Sequence, residues 1–221
     1  MDEGDIRDAL AVFPLAGLVV GLLSAAPAYL LDTPAGQALT AILVNYLLTK
    51  GLHFDGFVDT LEALAGGTTP KRRREIMKDT HIGALGLLAG GLLLLSRYHL
   101  LSSLGKGWVL WGIIVAPIFG RGSIVTVSFF SHSAFPQGLG AIFAAEDRFL
   151  TLFMAGLATL PALLWLSPTT YLVLLVFTVL TGKTLAGLAA RIFGGITGDI
   201  LGCGLELTEL GALVLLSWKG G

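Results

Sequence analysis

The chain has 221 residues, of which 54% are hydrophobic and 13% charged, with a mean hydropathy of +0.82. Soluble domains carry about 25% charged residues, so this composition excludes a soluble globular protein and indicates an integral membrane protein. The formal net charge of −1 gives no basic surface for nucleic acid, and the single cysteine, Cys203, has no partner for an intrachain disulfide and reads as a small buried apolar side chain.

The stretch from Met1 to Asp8 is acidic and the apolar run after it has no basic segment before it, so a cleaved signal peptide is not expected. A span needs about 20 mostly apolar residues to cross the hydrocarbon core. By that criterion the sequence predicts seven transmembrane helices, over residues 10–31, 36–52, 84–104, 107–130, 149–167, 169–190 and 204–219. The second is short, and the third carries Arg97, Tyr98 and His99 at its far end, where it reaches the interface. No Pro-rich or Ser-rich linker and no internal repeat divides the chain. The expected fold is therefore all-α, a polytopic membrane bundle in a single domain over residues 1–221.

Loop charge sets the expected orientation. With the N-terminus cytoplasmic, Arg7, Lys50, Lys71, Arg72, Arg73, Arg74, Lys78, Arg148, Lys183 and Arg191 lie at or near that face, Arg97, Lys106 and Lys219 lie outside, and Arg121 falls within a span. Residues 53–83, 131–148 and 191–206 then share the cytoplasmic side, and these segments hold most of the polar motifs.

Asp55, Asp59 and Glu62 follow the spacing of one helical face, with Gly56 leaving room beside the first carboxylate. Three acids at a membrane boundary repel one another and call for a cation, either a metal or the nearby arginines. Mg²⁺ is preferred over Zn²⁺ because hard oxygen ligands dominate and His and Cys at zinc spacing are missing. The run Lys71 to Arg74 binds phosphates, or sets topology and contacts anionic headgroups. Lys78 and Asp79 precede Gly83 and Gly86, which open a span whose N-terminus favours anions. Arg121, in Pro117-Ile118-Phe119-Gly120-Arg121-Gly122, must face a polar cavity or a carboxylate. His132 is a base or bonds only to Ser131 and Ser133. The glycines of Gly194 to Gly202 form a loop or a close helix contact around Thr197-Gly198-Asp199, and Glu206 and Glu209, three apart in the last span, need a cavity, a metal or a cation.

These blocks together resemble the cobalamin synthase family of adenosylcobinamide-GDP ribazoletransferases. The pattern His-x-Asp-Gly-x-x-Asp-Thr-x-Asp is matched by His53, Asp55, Gly56, Asp59 and Thr60. Ile-Met-Lys-Asp-x-x-x-Gly-x-x-Gly is matched by Ile76, Met77, Lys78, Asp79, Gly83 and Gly86. Gly-Gly-x-Thr-Gly-Asp-x-Leu-Gly with a following Glu-x-x-Glu is matched by Gly194, Gly195, Thr197, Gly198, Asp199, Leu201, Gly202, Glu206 and Glu209, and Gly120-Arg121 and Gln137-Gly138-Leu139-Gly140 are also similar. The chain departs from the pattern at Glu62, where an Asp is usual, at Ala63, where a Gly is common, and at His81, often an Arg.

The resemblance implies a Mg²⁺-dependent transferase that joins adenosylcobinamide-GDP to α-ribazole or its 5′-phosphate and releases GMP, and the loop charge puts its expected site at the cytoplasmic face of the cell membrane. The resemblance also implies Asp55, Asp59 and Glu62 as metal ligands, and His53, Asp79 and Asp199 as catalytic residues. Lys78, Arg121, Thr197, Gly198, Glu206 and Glu209 would bind substrate. The expected partners are these substrates and the lipid bilayer, with no nucleic acid and the option of a homo-oligomer. Two other readings are a CDP-alcohol phosphotransferase-like enzyme, whose Ala-Arg after Asp-Gly-x-x is replaced here by Asp59-Thr60, and a transporter with Asp55, Glu206 and Glu209 as coupling-ion ligands.

Overall fold

A computed structural model describes residues 9–79, 81–105, 107–135, 141–142 and 148–220; Arg7, Lys106 and the Gln137 to Gly140 block lie outside the described residues. Among the described residues the chain is helical: α1 (Phe13–Ala28), α2 (Pro34–Thr49), α3 (Leu52–Gly66), α4 (Pro70–Ile76), α5 (Ala84–Ser103), α6 (Trp108–Phe130), α7 (Arg148–Ala158), a 3₁₀ turn (Leu160–Leu164), α8 (Pro168–Phe193) and α9 (Gly198–Gly220). Helices α5, α6, α8 and α9, the last counted to Trp218, are long and apolar enough to cross a membrane, and α1 and the stretch from Phe149 to Leu164 are shorter apolar helices. This is a membrane-embedded, multi-pass helical bundle.

Local chemistry sets the helix ends. Thr33, Thr69 and Ser167 cap α2, α4 and α8 by accepting the N–H groups of Gly36, Arg72 and Thr170, and each is followed by a proline whose missing N–H costs nothing at that position. The second predicted span stops early because Lys50 (φ 53°) and Gly51 (φ 68°) both adopt the left-handed conformation. The chain turns sharply there and restarts as α3 at Leu52. The fifth predicted span breaks after Ala158 into the 3₁₀ turn, where Pro161 has no N–H to continue the α-helical ladder. The seventh starts earlier than expected, at Gly198.

Helix α6 is the centre of the bundle: every residue from Gly112 to Ser128 is buried, as expected of a helix apolar on all sides. Helices α1, α8 and α9 pack directly on it. Its contact with α1 is between backbones. A Cβ on Gly17 would lie 2.2 Å from Pro117 O, and one on Gly21 2.7 Å from Ile114 O. This is the small-xxx-small packing by which helices associate where lipid supplies no hydrophobic drive. The outer faces of α5 and α8 expose Leu87, Leu88, Leu95, Leu172, Val176 and Leu180.

Half of the basic run has a structural use. Arg73 Nη1 donates to Ile192 O at 3.1 Å and Arg74 Nη1 donates to Phe193 O. The two guanidinium groups thus satisfy carbonyls at the C-terminus of α8, where the helix dipole favours positive charge.

Enlarging the α1 contact should unseat it. Gly17→Leu or Gly21→Leu is expected to lower the melting temperature in detergent by the equivalent of about 1–3 kcal/mol, whereas Gly91→Ala on α5, where an added Cβ meets nothing within 4 Å, should leave it unchanged or slightly raised; a thermal-shift series checks both.

Candidate active site

The candidate site forms where α3 lies across the start of α9. The crossing is close because both partners lack side chains there. A Cβ on Gly56 would sit 2.8 Å from Asp199 Cα, and one on Gly202 3.0 Å from His53 O. Two blocks more than a hundred residues apart in sequence therefore meet. Asp55 is exposed and Asp59 half-buried on one face of α3, while Phe57, Val58 and Ala63 are buried. Thr60 also turns inward, its hydroxyl donating to Gly56 O at 2.7 Å. Across the crossing, Thr197 Oγ1 accepts the Ile200 N–H at 3.3 Å and lies 3.4 Å from Asp199 Oδ2, fixing the first turn of α9.

Asp55, Asp59 and Asp199 make no ion pair among the described residues. Burial, followed by the neighbouring Asp55, Asp199 and Glu62 charges, pushes the Asp59 carboxyl up to about 7. Among the described residues no group of three His, Cys, Asp or Glu side chains is placed to hold a metal ion. Mg²⁺ does not require one, because it is commonly held by one or two carboxylates with water and substrate phosphates completing the shell. The all-oxygen donors Asp55 and Asp59, with no cation paired to them among the described residues, fit that mode.

Glu62, on the same face of α3, is engaged elsewhere. Its Oε1 accepts the N–H groups of Gly83 at 2.5 Å and Gly86 at 3.1 Å, capping the start of α5. A Cβ on Gly86 would lie 2.4 Å from that oxygen, so the glycine makes room for the cap. The anion at this helix N-terminus is the protein's own carboxylate.

Beside Glu62 an open cleft is lined by Gly66, Ile76, Asp79, His81, Ile82 and Gly83. Asp79 and His81 are exposed and paired, Nδ1 to Oδ1, at 2.7 Å. Hydrogen bonds from the His81 ring and N–H hold the Asp79 carboxyl below its usual value. Lys78 is exposed, with its Nζ 4.7 Å from the centre of the Phe135 ring.

Deeper in the bundle lies a closed ionic network. Arg121 Nη1 is 2.5 Å from Glu209 Oε1, and Arg97 Nη2 is 2.8 Å from both Glu206 Oε2 and Glu209 Oε2. Arg97 Nη1 also donates to Tyr46 OH at 3.1 Å. All four charged residues are at most 4% exposed. The structure thus brings Arg121, Glu206 and Glu209 together with one another. His53, between this network and the acids, is lowered to about 3 by burial and by the Arg121 and Arg97 charges, and so is neutral near pH 7.

Residues 1–217 match the sequence pattern of the family described as cobalamin-5-phosphate synthase. The chain belongs to that family. It is 38% identical over 223 residues to an adenosylcobinamide-GDP ribazoletransferase of Deinococcus radiodurans, covering 99% of this chain and 78% of the relative. Proteins of the same name from Bradyrhizobium diazoefficiens and Prosthecochloris aestuarii are 35% and 32% identical, over 97% and 94% of this chain and 83% and 87% of theirs. No solved structure matches the chain.

Arg97 and Tyr46 are the members of this buried network that the sequence reading missed. Hydropathy places Arg97 at the outer end of its span, but it is 3% exposed and closes on the α9 glutamates. The available signal was stoichiometric: Glu206 and Glu209 are two acids within one span, and Arg121 alone cannot neutralise both.

Two outcomes follow. Glu209→Leu leaves Arg121 buried without its acid and should cost about 3–5 kcal/mol in a detergent melt, part of which the double variant Arg121→Leu/Glu209→Leu recovers because Arg97 and Glu206 still pair. Between pH 3.8, the ordinary carboxyl value, and about 7, the folded protein binds more protons at Asp59 than the unfolded chain does, so stability falls as pH rises. Metal-free Asp59→Asn should therefore melt above the parent at pH 8, with the difference vanishing below pH 4.

Proposed function

We propose that this chain is a membrane-embedded transferase that joins adenosylcobinamide-GDP to α-ribazole or its 5′-phosphate, releasing GMP and giving adenosylcobalamin or its 5′-phosphate. The family match over residues 1–217 supports this activity. The observation that carries the site is the meeting of Asp55 and Asp59 with Asp199 at the Gly56 crossing, in the absence of a paired cation among the described residues.

In the reaction a ribazole hydroxyl oxygen forms a bond to phosphorus and the bond from that phosphorus to the GMP oxygen breaks. The hydroxyl proton passes to a carboxylate, with Asp199 or Asp79 in that role. Asp199 lies beside the other acids, whereas Asp79 is held at low affinity for protons by His81, which favours Asp199. Asp55 and Asp59 are the residues that would hold Mg²⁺, and the ion's chemistry there is neutralisation of diphosphate charge. Lys78, an exposed cation, would meet the diphosphate. Arg121, Glu206 and Glu209 neutralise one another behind the site, while Thr197 and Gly198 shape its edge and His53 stays neutral between the two.

Residues 53–83 and 191–206 share one side in the orientation favoured by the basic loops, which puts the site at the cytoplasmic face of the cell membrane. Asp55→Asn or Asp59→Asn should reduce GMP release from adenosylcobinamide-GDP and α-ribazole by about 100-fold or more while the protein still elutes as a folded species in detergent; near-parental turnover would overturn the assignment.

A further inference from the structure

Residues 131–135 leave the end of α6 and cross to the turn before α9, where they are tied down. Ala134 N–H donates to Ile196 O and Ile196 N–H to His132 O, both at 2.9 Å, and Ser133 pairs with Ile196 as an isolated parallel bridge. Gly195 permits this approach: its φ is +134°, and a Cβ there would lie 2.6 Å from Ala134 N. Ser133 fixes the next turn, its Oγ accepting the Phe135 N–H at 3.2 Å and donating to Phe135 O at 2.6 Å. Three backbone-anchored residues therefore aim one aromatic ring.

That ring meets cations from another block of the sequence. Lys78 Nζ is 4.7 Å and Arg74 Cζ 5.6 Å from its centroid. Arg74 also donates to the Phe193 carbonyl, but among the described residues Lys78 has no acid within ion-pair distance. An ammonium on a flexible four-carbon stem loses conformational freedom when it binds a phosphate. A carboxylate partner would hold it still by cancelling its charge, whereas an aromatic face holds it and leaves the charge whole.

We propose that Phe135 is a positioning residue that holds Lys78 ready for the substrate diphosphate and couples it, through the Ser133 to Ile196 strap, to the Thr197-Gly198-Asp199 turn. The proposal rests on the reading of Lys78 as a diphosphate-binding residue.

The test is steady-state GMP release in detergent with adenosylcobinamide-GDP varied. Phe135→Leu keeps an apolar side chain but removes the ring face, and should raise KM about three- to fivefold with kcat within about twofold. Phe135→Ala should behave alike, and Phe135→Trp should restore the parental KM. In a Lys78→Met background, which itself raises KM, Phe135→Leu should add nothing. Parental KM for Phe135→Leu, or the same fold-increase with and without Lys78, overturns the proposal while leaving the role of Lys78 intact. Parental KM for Lys78→Met overturns the role of Lys78 and the proposal with it.

Discussion

Charge that cannot reach water has to be closed on itself, and in this chain four buried residues do so. Arg97 on α5, Arg121 on α6 and Glu206 and Glu209 on α9 sum to zero, with the hydroxyl of Tyr46 from α2 completing the set. Apolar packing gives little axial direction to helices in lipid, since hydrocarbon tails are as greasy as leucine. Ionic contacts do give it. A slip of one helix by a single turn, about 5.4 Å, would part every pair in the network and leave arginines or glutamates stranded in hydrocarbon. The mutual heights of α5, α6 and α9 are therefore set by these residues.

The acids at the α3–α9 crossing are in the opposite electrostatic condition. Asp55, Asp59 and Asp199 are held near one another by a backbone approach that Gly56 and Gly202 allow, and among the described residues no cation answers them. Asp199 and Glu206 are seven residues apart on one helix, about 10 Å along its axis. Over that distance α9 carries both a balanced cluster, which fixes structure, and an unbalanced one. Rigid charge pairing beneath an unsatisfied site keeps the carboxylates from relieving their repulsion by recruiting the arginines.

The spans were legible because apolar length is a local property, and α5, α6 and α8 lie close to their predicted limits. The misplaced features depend on through-space partners or on backbone conformation. The early end of α2 comes from a left-handed Lys50, which no hydropathy sum registers. Arg97 was placed outside because a window along the chain cannot see α9. The carboxylates of Asp55, Asp59 and Glu62 do share a face as their spacing requires, but spacing could not show that Glu62 turns to the amides of α5. Likewise, a basic run beside a membrane reads as a headgroup signal, and the carbonyls of Ile192 and Phe193 that take up Arg73 and Arg74 lie on a helix far along the chain.

Glu62 has one more effect. Helix N-termini bind phosphate with backbone amide groups and the positive end of the helix dipole. With its own carboxylate in that position, the start of α5 offers an incoming diphosphate nothing of this kind. Under the proposed function, attraction would fall to exposed side chains such as Lys78, whose field decays over a Debye length of about 8 Å at physiological ionic strength. Capture of the proposed anionic substrate would then be a property of the surrounding electrolyte as much as of the fold, strong in dilute buffer and weakened by salt.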